Sequence, residues 1–438
     1  MAERFDVCVV GAGPAGSAAA MVAARAGLRV VLLERGPFPG SKNMYGGVVY
    51  GRVLDDLVPE WWNEVPKQRW ITRRATMLLT ESQSLTVDYR TATWGRAPYN
   101  GCTTFRPDFD SWLASKAEDA GALLVTSTVA TGLLRDGADG TGRITGVRTD
   151  RPDGDIEADV VIACDGVNSF LAKEAGLYDN FDPDHFTLGA KEVIALPRDE
   201  IEKRFQLQGD EGADFEILGG TGGVNGGGFL YTNAESIAIG VVLSLPSLAK
   251  SGKRPEELIA EVKAHPSIAP LVAGGDLKEY SAHLIPEGGY DQMPTMVADG
   301  LMVAGDAAAL CLAAGIWLEG VNFAIGSGAA AGATAAEAIA AGDVSASGAL
   351  AAYRKRLESS FVLQDHKKLR RAPDFVLSDR VQHKYSKVIC DLVEQLFTVE
   401  NPKPKPGGLK AAWREFRKAD VPIRHAIKDA WTVARTWA

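Results

Sequence analysis

Between residues 5 and 33 the apolar positions change period twice. Phe5 to Val10 is β-branched and apolar apart from Asp6, Gly16 to Ala26 is an Ala-rich stretch of helix formers ending at Gly27, and Arg29 to Leu33, apolar from Val30, reads as a second strand. That succession predicts strand, helix, strand, the βαβ unit of a parallel sheet. Helical spacing of Phe109, Trp112, Leu113 and Ala117 predicts a helix over 108–120, with strands at 123–129 and 144–149. Ala158 to Ala163, interrupted only by Asp159, and Leu301 to Ala304 are apolar runs, as expected of strands buried on both faces. From about 187 to 280 the pattern turns to alternating strands with glycine turns, among them 229–232 and 237–243, plus one helix at 256–264; shorter strand-like segments stand at 75–80 and 85–89. Past 350 the chain reads as helical and charged, with a Pro-Lys-rich linker at 402–408.

Gly320 to Gly342 is apolar enough to invite a membrane-spanning reading and carries Gly328 and Gly332 at small-xxx-small spacing. Its apolarity comes from Ala and Gly, and Asn322 and Glu337 interrupt it, so a helix buried against a sheet is the expectation.

Composition sharpens this picture in three places. The 438 residues hold enough chain for about three domains, and 46% apolar content excludes disorder. The net charge of −9 is uneven: residues 402–438 carry nine Lys/Arg against Glu415, Asp420 and Asp429, a local +6 that leaves −15 for the rest. So acidic a body excludes general nucleic-acid binding, which needs a basic face. Cys8, Cys102, Cys164, Cys311 and Cys390 are separated by 94, 62, 147 and 79 residues, spacings that offer neither a zinc nor an iron–sulfur motif and suit a reducing compartment. No metal site is expected. The N-terminus runs directly into a strand without the regions of a signal peptide, which predicts a cytoplasmic protein.

The candidate chemistry lies at strand ends. Gly11-Ala12-Gly13-Pro14-Ala15-Gly16 joins the first predicted strand to the first helix, and Glu34 closes the next strand 23 positions after Gly11. In a dinucleotide fingerprint the first Gly allows the tight turn, the second lets a pyrophosphate approach backbone, the third lets helix meet strand, and the acid accepts ribose hydroxyls. Two later strands end similarly, in Cys164-Asp165-Gly166 and in Gly305-Asp306. In an open α/β sheet the three ends converge on one crevice, where a carboxylate can bind hydroxyls or hold a turn.

These marks resemble the FAD-binding fold of the glutathione-reductase type. With Ser41-Lys42-Asn43, Gly46-Gly47, Phe205-Gln206-Leu207, the run from Gly226 to Thr232, and the run from Tyr280 to Gly289, the chain is similar to the FixC branch of the electron transfer flavoprotein:quinone oxidoreductase family over about residues 4–400. The resemblance implies an α/β protein: a Rossmann-like FAD-binding part (1–60, 100–186, 285–350), an inserted antiparallel-sheet quinone or substrate part (61–99, 187–284), and a helical C-terminal region with a basic tail (351–438). It implies FAD contacts at Gly11, Gly13, Ala15, Gly16, Glu34, Arg35, Lys42, Gly46, Gly47, Arg106, Val129, Asp165, Gly166, Gly305 and Asp306, with Gly320, Val321 and Asn322 opening a helix aimed at the flavin. A helix N-terminus there favours an anionic reduced flavin.

The same resemblance implies quinone near Gly226 and Gly227, although a glycine-rich strand bulge explains that pair as well. His283 is a candidate proton donor beside the flavin, or an ordinary hydrogen-bonded loop residue. Electrons are expected from an electron transfer flavoprotein and are passed to membrane quinone. The longer family members carry a four-cysteine cluster region, whereas this chain has only Cys390 near its end, so a separate ferredoxin-like iron–sulfur partner is expected. The basic tail, with Trp413, Trp431 and Trp437, suits that partner or an anionic membrane surface, or is a solvated helical face. Peripheral attachment to the inner face of the cell membrane is the expectation. Two other readings stay open: a self-contained monooxygenase or prenyl-chain reductase of the same fold, and a non-catalytic anchoring subunit.

Overall fold

The computed structural model describes residues 3–437 except 45, 138–139, 179–181 and 406; Pro406, within the predicted linker, therefore lies outside the described residues. The first apolar run forms the strand Glu3–Val10, which pairs in parallel with Val30–Leu33 on one side and Ile156–Ala163 on the other. Leu301–Val303 and Leu123–Val125 extend the same parallel sheet at either end. Val7, Cys8, Val9, Val160, Val161 and Ile162 are fully buried, which explains why these stretches of the strands read as apolar runs. Two antiparallel additions join the sheet, a short edge strand Val297–Ala298 and the hairpin Ala130–Arg135 with Ile144–Thr149.

The first helix, Pro14–Arg25, begins on proline, whose missing N–H costs nothing there. It stops where Gly27 takes φ +86° and Leu28 N–H reaches back to Ala23 O at 3.3 Å. Val321–Ala341 packs directly on it. A Cβ added to Gly328 would stand 1.9 Å from Ala15 O, and one added to Gly332 would stand 2.4 Å from Ala19 O, so the small-residue stripe serves this helix contact. Among the described residues Val321–Ala341 alone is long and apolar enough to cross a membrane, and its inward face is buried here.

A second sheet runs in the order Asp276–Pro286, Phe186–Ala195, Ser236–Ser244, Gly226–Thr232, Glu211–Gly219, Lys67–Leu79, Cys102–Phe105, Gly46–Val49, with Ser84–Arg90 also paired to Lys67–Leu79. Most pairs are antiparallel as expected, but Glu211–Gly219 and Lys67–Leu79 are parallel. The reason is topological: they come from distant parts of the chain and no hairpin links them. Gly46–Val49 and Cys102–Phe105, which the sequence reading placed with the dinucleotide-binding part, also hydrogen-bond into this second sheet. One face packs Ala190, Ile194, Phe215, Ile217, Leu230 and Ile239 against helices Arg198–Phe205 and Pro255–Ala264. The C-terminal region is helical as predicted. Of its last two helices, Gly408–Lys418 is tied by Gln395 Nε2 donating to Glu415 at 2.6 Å, and Ile423–Trp437 by Arg380, which makes a two-pronged contact to Asp429 at 2.6 and 2.9 Å, and by the Tyr385 hydroxyl, which donates to the same carboxylate at 2.5 Å.

Candidate functional site

Three strand ends meet as the sequence predicts. Val10 O accepts from Cys164 N–H at 2.8 Å, Ala163 O accepts from Ala304 N–H at 3.0 Å, and Leu33 O accepts from Gly11 N–H at 2.8 Å. These backbone bonds fix the glycine turn against the neighbouring strand. Gly11 has φ +100°, and a Cβ there would lie 2.3 Å from Cys164 O. A Cβ at Gly16 would lie 1.8 Å from Gly11 O, so the third glycine seats the helix on the turn. Gly13 caps the helix with no side-chain hydrogen bond, and its first turn holds no acid, so free N–H groups and the positive end of the dipole are left for an anion.

A cavity of about 340 Å³ opens between the strand ends. Its wall includes Gly11, Gly13, Ala15, Glu34, Arg35, Lys42, Arg106, Val129, Asp165, Gly166, His283, Gly305, Asp306, Gly320 and Val321, all singled out above. Glu34 is buried and held by Ala12 N–H (3.2 Å) and Gly36 N–H (2.7 Å), which fixes the carboxylate at the end of its strand. Arg106 forks onto fully buried Asp110, with Nε and Nη2 each donating at 2.8 Å, and Asn43 Nδ2 donates to the same carboxylate at 3.1 Å. Asp165 accepts from Leu171 N–H at 3.1 Å through Oδ2, while its buried Oδ1 has no partner. Burial raises the Asp165 and Asp306 carboxyls above their usual range; Arg106 and His283 partly offset this for Asp306. An orphaned carboxyl oxygen, an uncapped helix start and a fixed acid on the second strand suit the hydroxyls, phosphates and ribose of FAD.

The remaining candidates stand outside the wall. Gly16 acts beneath the turn. Gly46 lies in the strand beside Cys102–Phe105, its carbonyl accepting from the buried Lys191 Nζ at 2.8 Å, and Gly47 follows it. Asn322 Nδ2 donates to Glu319 at 2.7 Å. Gly226 and Gly227 sit where strands crowd: a Cβ would meet Val242 O at 2.1 Å from the first and Ile217 O at 2.7 Å from the second. That close approach accounts for both glycines. His283 lines the cavity, with Nδ1 donating to Leu284 O at 2.6 Å, which leaves Nε2 as its free nitrogen.

Sequence reasoning missed Asn43, Thr128, Cys311 and Ala324 in the wall, and Asp110 behind it. Asp110 had a legible signal, since it stands one helical turn after Arg106. It also missed a polar network on the second sheet's other face. Arg74 donates to Glu216 (2.5 Å) and Ile316 O (2.9 Å), approaches Asp214 at 3.5 Å, and covers the Tyr50 ring at 5.3 Å. Burial pushes Glu216 up to about 8, against the pull of Arg74.

A parallel sheet with this fingerprint, an acid closing the second strand and two later carboxylates around one cavity defines a FAD-dependent oxidoreductase. Residues 6–177 match the family described as FAD dependent oxidoreductase. The chain is 39% identical to the probable electron transfer flavoprotein-quinone oxidoreductase YdiS of Escherichia coli K12, over 92% of this chain and 93% of that one. It is 39% identical to Protein FixC of Bradyrhizobium diazoefficiens over 99% of each chain, and 44% identical to Protein FixC of Azotobacter vinelandii over 85% of each. The chain belongs to the FixC and electron transfer flavoprotein-quinone oxidoreductase family, and is an FAD oxidoreductase of electron transfer. Among solved structures, a geranylgeranyl bacteriochlorophyll reductase-like protein of Thermoplasma acidophilum matches with TM-score 0.71 at 20% identity, covering 98% of this chain and 100% of that one. The myxobacterial halogenase CndH matches with TM-score 0.63 at 16% identity, covering 95% and 97%. These last two share the fold.

Proposed function

We propose that this protein takes electrons from an electron transfer flavoprotein, with a separate ferredoxin-like iron–sulfur protein in the complex, and delivers them to quinone at the inner face of the cell membrane. The observation that carries the reading is the 39% identity, over nearly the whole chain, to a relative named as an electron transfer flavoprotein-quinone oxidoreductase. Bound FAD supplies the redox chemistry. The chain's own residues do the holding: the glycine turn and helix start take the phosphates, Glu34 the ribose, Asp165 and Asp306 hydroxyl groups, and the start of Val321–Ala341 faces the flavin with its positive dipole end.

The outward face of the last two helices supports the membrane part. Trp413, Ile427, Trp431 and Val433 are exposed, interleaved with Arg417, Lys418, Lys428 and Arg435, and Arg435 lies over the Trp431 ring at 5.4 Å. A basic face studded with indole rings binds an anionic interface through charge and apolar burial together. Affinity purification from native membranes, followed by identification of bound chains and cofactors, tests the proposal. It predicts both flavoprotein subunits and an iron–sulfur protein, and loss of membrane recovery when residues 404–438 are deleted. Recovery of this chain alone, in the soluble fraction, would contradict it.

A further inference from the structure

A second cavity, of about 580 Å³, opens just past the end of the strand Asp276–Pro286, whose residues 283–285 line the flavin cavity. Leu284 and Ile285 line the first cavity, while Glu287 and Gly288, immediately after, line the second. The second cavity's lining is polar: Asp184, Lys250, Asp374 and the pair Asp291 and Arg370, which meet at 3.1 Å.

Glu287 is only 6% exposed, and its Oε1 is buried with no hydrogen-bond partner. Its backbone N–H donates to His185 O at 2.9 Å, which fixes the residue at the strand's end. From the adjoining strand, Thr187 presents its buried hydroxyl toward the Glu287 carboxyl. Cys311, which lines the flavin cavity, lies within electrostatic reach of the Glu287 carboxyl. Among the described residues no ion pair to Glu287 forms. Burial pushes the carboxyl up to about 7, the Thr187 hydroxyl offsetting part of the rise. A buried carboxyl oxygen left unpaired lowers stability, so the arrangement calls for a reason other than stability.

We propose that Glu287 carries protons between solvent in the second cavity and the flavin site. Electrons that arrive from a one-electron carrier bring no proton, unlike a hydride. Reducing oxidised flavin to its anionic two-electron form consumes two electrons and one proton, and that proton must come through the protein. Glu287 gives up its carboxyl proton toward the flavin cavity and is reprotonated from the polar cavity behind it. The inference rests on FAD in the first cavity and on a donor that delivers electrons without hydride, as the proposed function has it, and is independent of which acceptor removes them.

The test uses the FAD-loaded protein, anaerobic stopped-flow reduction by dithionite, and a pH-indicator dye to time proton uptake. In the wild type, uptake slows as pH rises through neutrality, because only the protonated acid donates. In Glu287→Gln, with FAD content and visible spectrum retained, uptake falls by about tenfold to a hundredfold. It also loses that pH dependence, and added formate restores it. Glu287→Asp retains an acid and is expected to keep the slope, which serves if the Gln variant does not bind FAD. Independently of catalysis, the flavin-free protein is expected to show a carboxylic C=O infrared band that titrates near neutrality and is missing in Glu287→Gln. Wild-type uptake with the wild-type pH profile in Glu287→Gln, or no such band in the wild type, overturns the proposal. Failure of quinone to reoxidise the protein would count against the proposed function and leave this result unaffected.

Discussion

Gly11→Ala is expected to yield a protein that purifies without flavin. The residue has φ +100°, a backbone conformation that costs an L side chain about 1–2 kcal/mol. The clash matters more. The added Cβ would stand 2.3 Å from Cys164 O and 2.9 Å from Cys164 C, both backbone atoms of the adjoining strand end. Neither can step aside, because Cys164 N–H is bonded to Val10 O at 2.8 Å and Gly11 N–H to Leu33 O at 2.8 Å. Relief must come from the turn itself, which carries the N–H groups that meet the phosphates. Overpacking of this kind costs about 1–3 kcal/mol of stability, so the variant still folds while its phosphate cradle is displaced. The ratio of visible flavin absorbance to protein should fall below a tenth of the wild-type value even after incubation with excess FAD. A wild-type ratio would show that the turn tolerates a side chain and that the phosphates lie elsewhere.

Arg106→Leu is expected to cost stability before it costs chemistry. Asp110 is fully buried, and Arg106 supplies two of its hydrogen bonds. Removing the cation leaves an uncompensated buried charge with Asn43 as its side-chain donor among the described residues, a loss of about 3–5 kcal/mol for a pair of this kind. Urea unfolding of the flavin-free protein measures it apart from FAD affinity. The double variant Arg106→Leu, Asp110→Leu should recover most of the loss, because an apolar pair of similar volume carries no stranded charge. It should not recover flavin binding, since the Arg106 side chain is part of the cavity wall. If the single variant unfolds at the wild-type urea concentration, the pair is not holding the helix start Arg106–Asp119 against the cavity.

The elements that sequence read well are those whose signal is local. The βαβ unit at residues 3–33 was legible because period, fingerprint and acid all lie within one short stretch, and Gly11, Gly13, Glu34, Asp165 and Asp306 line one cavity as that reading requires. The boundaries moved where local signals were weaker: the predicted strand 123–129 ends at Val125, since Ser127 takes φ +53° and turns the chain. The parallel pair of Glu211–Gly219 with Lys67–Leu79 and the network of Arg74 with Asp214 and Glu216 were out of reach, because their partners lie more than a hundred residues apart with no spacing to betray them. Glu287 was visible only as part of a family-like run. Its orphaned oxygen and its place in the second cavity's wall, two residues after Ile285 of the flavin cavity, exist only in the fold.

The most direct test of the central claim is anaerobic mixing of the FAD-loaded protein with its possible electron donors, followed by quinone. The account predicts bleaching of the flavin band by reduced electron transfer flavoprotein in the presence of the iron–sulfur partner, little or none by NADPH, and return of the band when a soluble quinone is added. Rapid stoichiometric bleaching by NADPH, with no response to the flavoprotein, would contradict it and point to a self-contained reductase or monooxygenase.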